Sequence, residues 1–247
     1  MKNITVITGP FRSGTSCVTG LLERCGFDLG KNIRVLRDPT EHNPKGHFEH
    51  DLLFAINERL IIEAGQSDTG IFCVPTSDEL ALLAPKRERY FNLFIKKFDG
   101  ELCKDPLLCI TLSLWEQHWP DLRKAIFCLR HPLAVARSMN KRYGITIEQG
   151  LELWQTYTQR FFYSPRKTDI FIFDFDAFIH DPVPVFSHLL HWLNKVVDPT
   201  VVGQHIDSFV LEKYGRSVPA EDQCVPEPVE NLYRDLKAAA GFVIRDS

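Results

Sequence analysis

Ile4-Thr-Val-Ile-Thr-Gly-Pro-Phe-Arg-Ser-Gly-Thr-Ser16 runs from a β-branched strand into a turn bounded by Gly9 and Gly14, then into hydroxyl residues that open a helix. Strand, glycine turn and helix start are the parts of a phosphate loop. The helix contributes unpaired backbone N–H groups and the positive end of its dipole, and the glycines let the backbone approach the anion closely. The spacing of Gly9 and Gly14 matches the nucleoside-triphosphate loop G-x-x-x-x-G-K-[ST], yet Thr15 stands where that motif requires lysine. The cation in this loop is Arg12. The hydroxyls of Ser13, Thr15 and Ser16 add hydrogen-bonding groups suited to a phosphate or a sulfate, although Thr15 and Ser16 also suit plain helix capping.

A second stretch, Phe127-Cys-Leu-Arg-His-Pro-Leu-Ala-Val-Ala-Arg-Ser-Met-Asn-Lys-Arg142, reads as a strand ending at Arg130 and a helix begun by Pro132, with Ser138 eight residues after the arginine. Together the two stretches resemble the sulfotransferases that use 3'-phosphoadenosine 5'-phosphosulfate (PAPS). These carry an R/K-S-G-T-[ST] loop after their first strand and an Arg/Ser pair on a later strand and helix. The resemblance implies a P-loop-related sulfotransferase fold, a three-layer α/β/α arrangement with a mostly parallel central sheet. It also implies a cofactor grip: Arg12, Ser13, Gly14, Thr15 and Ser16 on the 5'-phosphosulfate, and Arg130 with Ser138 on the 3'-phosphate. Lys213 and Arg216, in Leu211-Glu-Lys-Tyr-Gly-Arg216, loosely match the family's late basic loop at the adenosine.

Further motifs bear on catalysis. Lys104-Asp-Pro106 resembles the K-D-P-R segment of bacterial members, with Leu107 in place of the arginine, and offers Lys104 to the transferring group or the acceptor while Asp105 fixes the turn. Asn43-Pro-Lys-Gly-His-Phe-Glu49 resembles their N-P-x-G-x-x-E loop. Glu49 is the first choice for a general base and His47 the second, while His42 and His50 read as solvated loop histidines and His131 as packing or a helix start. Arg12 doubles as the group that neutralises leaving-group charge. Arg137 and Arg142 read as surface or ion-pair residues.

The 247 residues, 44% hydrophobic and 25% charged, suffice for one α/β domain across the whole chain. A net charge of −3 gives no general reason to expect nucleic acid or a membrane as partner, so an anion site must be a local concentration of cations. The seven cysteines are scattered through apolar runs and read as reduced core residues; no Cys/His pair has zinc spacing, and no metal is expected. The first strand begins near residue 3, and no apolar run reaches the ~18 residues of a membrane span, so the expectation is a soluble, cytoplasmic protein.

Alternating strands and helices point to right-handed crossovers and ligands at the strands' carboxyl ends. Strands are expected at 4–8, 102–104, 125–129 and 169–173. Helices are expected at 13–25, 50–64, 77–98 around Pro85, 112–119, 132–142, 147–162, 183–194, 198–213 and 228–240, and a long loop at 27–48. The four tryptophans fall in apolar helical patterns and read as core, and residues 51–99 as the wall of an acceptor pocket. The leading reading is sulfuryl transfer to a hydroxyl or amine of a small-molecule or carbohydrate acceptor. The alternatives are a small-molecule kinase of the phosphate-loop class, which the missing lysine opposes, and a catalytically degenerate nucleotide-binding homologue.

Overall fold

The structure is a computed structural model describing residues 3–41, 43–65, 72–210, 224–241 and 243–244. In chain order it comprises β1 (Ile4–Thr8), α1 (Thr15–Arg24), β2 (Val35–Leu36), β3 (Glu49–His50), α2 (Asp51–Gly65), α3 (Ser77–Leu83), a 3₁₀ turn (Ala84–Arg87) and α4 (Glu88–Lys97). Then follow β4 (Leu102–Lys104), α5 (Leu108–His118), β5 (Leu122–Leu129), α6 (Pro132–Tyr143), α7 (Ile147–Tyr163), β6 (Asp169–Asp174), α8 (Phe175–His180), α9 (Pro182–Trp192), α10 (Pro199–Phe209), α11 (Glu227–Ala238) and β7 (Val243–Ile244).

The central sheet has the order β4-β1-β5-β6-β7, parallel throughout except for the antiparallel edge strand β7. Side chains alternate across it, as the strand period of two requires. Val6, Cys103, Ala125, Phe127 and Ile172 point into a core shared with α2 to α7 and α11. Ile7, Leu102, Ile126, Cys128 and Phe173 point into a second core under α1, α8, α9 and α10. Helices therefore cover both faces, giving the three layers expected. Trp115, Trp154, Phe91, Phe94 and Phe161 are wholly buried in the first core, where each aromatic truncated to alanine would cost about 3–5 kcal/mol.

The sheet order positions the site. β1 lies second in the sheet, with β4 on one side and β5 on the other. The chain reverses direction across the sheet at β1, and a crevice opens at such a switch point beside the carboxyl ends of the strands. The register brings Lys104 beside Ile7, Phe127 beside Thr8 and Asp174 beside Leu129, so the 9–16 loop, the Arg130 strand end and the Lys-Asp-Pro turn emerge at this one edge.

Some elements differ from expectation. The loop at 27–48 contains β2, which pairs with β3 as a small antiparallel hairpin, and Phe48 packs on Phe209 of α10. α5 starts four residues early at Leu108. Asp105 accepts from the Leu107 N–H and closes the turn after Pro106, so the helix needs no capping side chain of its own. β5 starts three residues early, at Leu122. Trp115, Trp119 and Trp154 are core as expected, Cys224 is exposed, and all the described cysteines are free. Among the described residues no helix is long and apolar enough to cross a membrane.

Candidate active site

The loop between β1 and α1 is built around three residues with left-handed or related backbone. Gly9 has φ 151°, Arg12 φ 73° and Gly14 φ 96°. At Gly9 a Cβ would stand 2.6 Å from the Cys128 carbonyl oxygen, and at Gly14 it would stand 2.3 Å from the Phe175 ring, so neither position admits a side chain. Gly14 is the N-cap of α1 and gives it no side-chain cap. Thr15 and Ser16 are the first helical residues and not its caps, which corrects the capping alternative. The first-turn N–H groups of α1 thus have no side-chain acceptor, and the Ser13 hydroxyl beside them is 0% exposed with no hydrogen-bond partner. A buried hydroxyl without a partner is costly, and an anion at the helix start would supply the acceptor.

Arg12 is non-glycine in a left-handed conformation, which costs on the order of 1 kcal/mol or more. Its carbonyl accepts from Arg130 NH1 at 3.0 Å, and its own Nε donates to Ser138 Oγ at 3.0 Å. The two stretches that the sequence suggested are therefore joined at both Arg12 and Arg130. Arg130 also lies over the Phe175 ring, 5.2 Å from its centroid, and its carbonyl accepts from Trp154 Nε1. His131 Nδ1 accepts from the Leu133 N–H at the start of α6, so it acts as a helix cap.

Lys104 ends β4 on the other side of β1. Its ammonium is held by Glu49 Oε1 at 2.5 Å, the His47 carbonyl at 3.3 Å and Ser16 Oγ at 3.3 Å, and its side chain is only 2% exposed. Ser16 Oγ in turn donates to the His47 carbonyl at 3.0 Å. Lys104 and Ser16 thus bind the 43–49 loop to the start of α1. This brings Glu49 and His47 beside the phosphate loop, and the Ser16 hydroxyl is engaged within the protein. Glu49 itself is largely buried, with Oε1 committed to Lys104.

His47 has its basicity lowered, first by burial and then by Lys104, Arg142 and Arg12, against an opposing pull from Glu49. Its Nε2 lies 3.1 Å from Thr40 Oγ1. Tyr143 is raised, first by burial, and it senses Arg142, Arg12 and Glu49. Arg142 and Tyr143 therefore belong to the same electrostatic neighbourhood, although the sequence reading left Arg142 as a surface or ion-pair residue and did not single out Tyr143. The signal was there: Arg142 stands four residues after Ser138, on the same face of α6. His50 also departs from expectation, being wholly buried with Nε2 2.6 Å from the Leu29 carbonyl. Arg137 lies on α6, Leu107 is wholly buried in the apolar core, and Lys213, Arg216 and His42 lie outside the described residues.

The thiols near the loop offer no nucleophile. Burial pushes Cys17 and Cys109 up to about 12, so both remain protonated at neutral pH. Among the described residues no cluster of three His, Cys, Asp or Glu side chains is disposed to hold a metal ion.

No protein-family model matches the chain. No curated protein matches it either. Solved structures do. Sulfotransferase STF9 from Mycobacterium avium superposes with a TM-score of 0.53 at 13% identity, over 96% of this chain and 76% of that one. The sulfotransferase domain of the Synechococcus PCC 7002 olefin synthase gives 0.52 at 14% identity, covering 96% of each chain. The sulfotransferase domain from the curacin biosynthetic pathway gives 0.50 at 13% identity, over 96% of this chain and 98% of the other. At such identities the likeness is one of fold: a mostly parallel sheet between helical layers, as in these sulfotransferases.

Proposed function

We propose that this chain is a sulfotransferase that takes the sulfuryl group from PAPS and places it on a hydroxyl or amine. The observation that carries this reading is the joining of two anion-binding stretches: Arg12 Nε donates to Ser138 Oγ, and Arg130 donates to the Arg12 carbonyl, beside a wholly buried Ser13 hydroxyl lacking a partner. A donor with phosphate groups at both ends of a nucleoside calls for two linked cation sites of this kind. The uncapped start of α1 fits the 5' end and Arg130 with Ser138 the 3' end.

The donor supplies an activated sulfuryl group and a phosphate leaving group. The chain's residues would do the rest. The 9–16 loop would orient the sulfur for in-line attack, and Arg12 would neutralise the charge that grows on the leaving oxygen. Lys104 fixes Glu49 through Oε1, leaving Oε2 to take the acceptor's proton as its oxygen or nitrogen bonds to sulfur and the sulfur–phosphate oxygen bond breaks. His47, beside Glu49, is the second candidate for that proton.

Calorimetric titration with adenosine 3',5'-bisphosphate, with magnesium ATP and adenosine 5'-monophosphate as controls, tests the reading. Selective binding of the 3'-phosphorylated nucleotide is expected, weakened by ~1.5–3 kcal/mol in Arg12→Ala and in Arg130→Ala if each charged contact is lost. Preference for magnesium ATP would instead favour a kinase, and unchanged affinity in both variants would sink the site. Tight binding with no transfer to any acceptor would identify a degenerate homologue.

A further inference from the structure

The ladder between β5 and β6 ends at the pair Leu129 and Asp174. Arg130 is the first residue beyond it, so the peptide unit joining Arg130 to His131 needs partners from outside the sheet. Two side chains supply them. Trp154 Nε1, on α7, donates to the Arg130 carbonyl at 3.1 Å, and Asp176 Oδ2, in the first turn of α8, accepts from the His131 N–H at 2.6 Å. Carbonyl and N–H belong to one planar unit, so the two bonds hold that plane from both edges. Tyr233 of α11 closes the arrangement. Its hydroxyl donates to Asp176 Oδ2 at 3.3 Å, and its ring meets those of His131 and Trp154 edge-on, with centroids 4.9 and 6.3 Å away. Trp154 and Tyr233 are both buried.

The clamped unit stands between the two groups assigned to the 3'-phosphate. Arg130 precedes it, and α6, which follows it, carries Ser138. Phe175, the neighbour of Asp176, adds a buried ring that lies 5.2 Å from the Arg130 guanidinium and fills the space where a Cβ on Gly14 would stand. Asp174 fixes this turn, its Oδ1 accepting from the N–H groups of Asp176 and Ala177 at 3.0 and 2.9 Å. We propose that Trp154, Asp176 and Tyr233 are positioning residues for the 3'-phosphate: they lock the Arg130–His131 peptide, and with it the spacing of the Arg130 guanidinium from the Ser138 hydroxyl. A forked guanidinium and a short hydroxyl can share one phosphate only at a fixed spacing. The proposal rests on reading Arg130 and Ser138 as the 3' grip.

Trp154→Phe removes the indole donor, Asp176→Ala removes the acceptor, and Tyr233→Phe removes only the hydroxyl that braces it. Calorimetry compares adenosine 3',5'-bisphosphate with adenosine 5'-monophosphate, which lacks the 3' group. Trp154→Phe and Asp176→Ala should each weaken the bisphosphate roughly three- to tenfold, the worth of one hydrogen bond, and leave the monophosphate within about twofold. Asp176→Asn, which keeps an oxygen for the His131 N–H, should recover about half or more of that loss on a logarithmic scale. In an Arg130→Ala background, Asp176→Ala should cost no further bisphosphate affinity, because it acts through the arginine. Equal losses for both nucleotides, or a loss undiminished in that background, would reduce the clamp to a structural role and overturn the proposal. If Asp176→Ala or Trp154→Phe does not fold, Tyr233→Phe carries the same comparison with an expected loss of about two- to threefold, and unaltered selectivity would overturn the proposal. If the wild-type protein does not prefer the bisphosphate, the functional reading fails. The clamp is then judged by ¹⁵N relaxation of the Arg130 Nε–H in the nucleotide-free protein, assigned by its loss in Arg130→Lys. A lower order parameter in Trp154→Phe and Asp176→Ala would retain the clamp on Arg130 without the 3'-phosphate, and an unchanged one would overturn it.

Discussion

Lys104 and Glu49 are not equivalent halves of their pair. Removing Lys104, as in Lys104→Met, leaves the largely buried Glu49 carboxylate without its ammonium partner. Breaking a buried ion pair in this way costs ~3–5 kcal/mol, read as a lower urea midpoint. Glu49→Gln leaves Lys104 the glutamine oxygen, the His47 carbonyl and the Ser16 hydroxyl as acceptors, so its stability cost should be smaller, ~1–3 kcal/mol. Nucleotide binding should survive in Glu49→Gln while sulfuryl transfer slows by ~10²-fold or more, the usual worth of a general base. Equal losses of binding and transfer would place Glu49 on the donor and not on the acceptor. The groups of this site that were legible in the sequence, Arg12, Arg130, Ser138, Lys104, Glu49 and His47, sit in stretches where residue type and spacing limit the chemistry. Asn57 of α2, which donates to Asp105 and accepts from Thr111 and Trp115, was not legible, because it lies in an ordinary amphipathic helix. Its one mark was a polar residue at the helical spacing of Leu53 and Leu60, on the face α2 buries.

At the level of elements, the hairpin of β2 and β3 carries the general-base candidate, and His50 anchors it. His50 Nε2 bonds the Leu29 carbonyl, its Nδ1 is buried with no partner, and its ring packs edge-on against Phe94 and Phe98. Protonation would put a charged N–H into that apolar contact, and burial accordingly lowers His50 below its ordinary value of 6.5, against the pull of the Leu29 carbonyl. With the folded value depressed, the unfolded chain binds more protons below about pH 6.5. Stability is thus complete above that pH and falls as the pH drops through it. His50→Gln, which retains a donor for Leu29, should show a shallower loss of melting temperature between pH 7 and 5. Asp105, raised by burial, contributes a slope of opposite sign in both proteins, so their difference isolates the histidine. An unchanged slope would mean that His50 does not titrate with unfolding. A second prediction concerns α6, which carries Ser138. It crosses α7 so closely that a Cβ on Gly150 would lie 2.8 Å from Ala136 Cα, and Gly150→Ala should cost ~1–3 kcal/mol of stability. The longer strands and helices were legible because apolar runs and helical periodicity mark them. The hairpin was not, since two residues per strand leave no period to read, and its register depends on backbone bonds from His47 and Phe48 to Leu36.

Across the whole molecule, the Arg12–Ser138 bond spans 126 positions in sequence and exists because β1 lies between β4 and β5. The order of the strands, and not any single motif, brings Arg12, Arg130 and Lys104 to one crevice. Sequence spacing could suggest that the two stretches meet, but it could not say that Arg130 would bond the Arg12 carbonyl. A ligand gripping both stretches would tie the first strand and helix to the middle of the chain, and stabilise the folded state by mass action. At a free concentration near 100 times Kd, adenosine 3',5'-bisphosphate should add ~2.7 kcal/mol. For a chain of 247 residues that corresponds to a rise in Tm of roughly 5–10 °C. The rise should persist in the presence of EDTA, because the proposed grip consists of arginines, hydroxyls and backbone N–H groups. Arg12→Ala and Arg130→Ala should each lose most of it at the same ligand concentration, since each removes one end of the grip. Loss in one variant only would confine the nucleotide to a single stretch. A larger, magnesium-dependent rise with ATP would transfer the 9–16 loop from sulfuryl to phosphoryl chemistry.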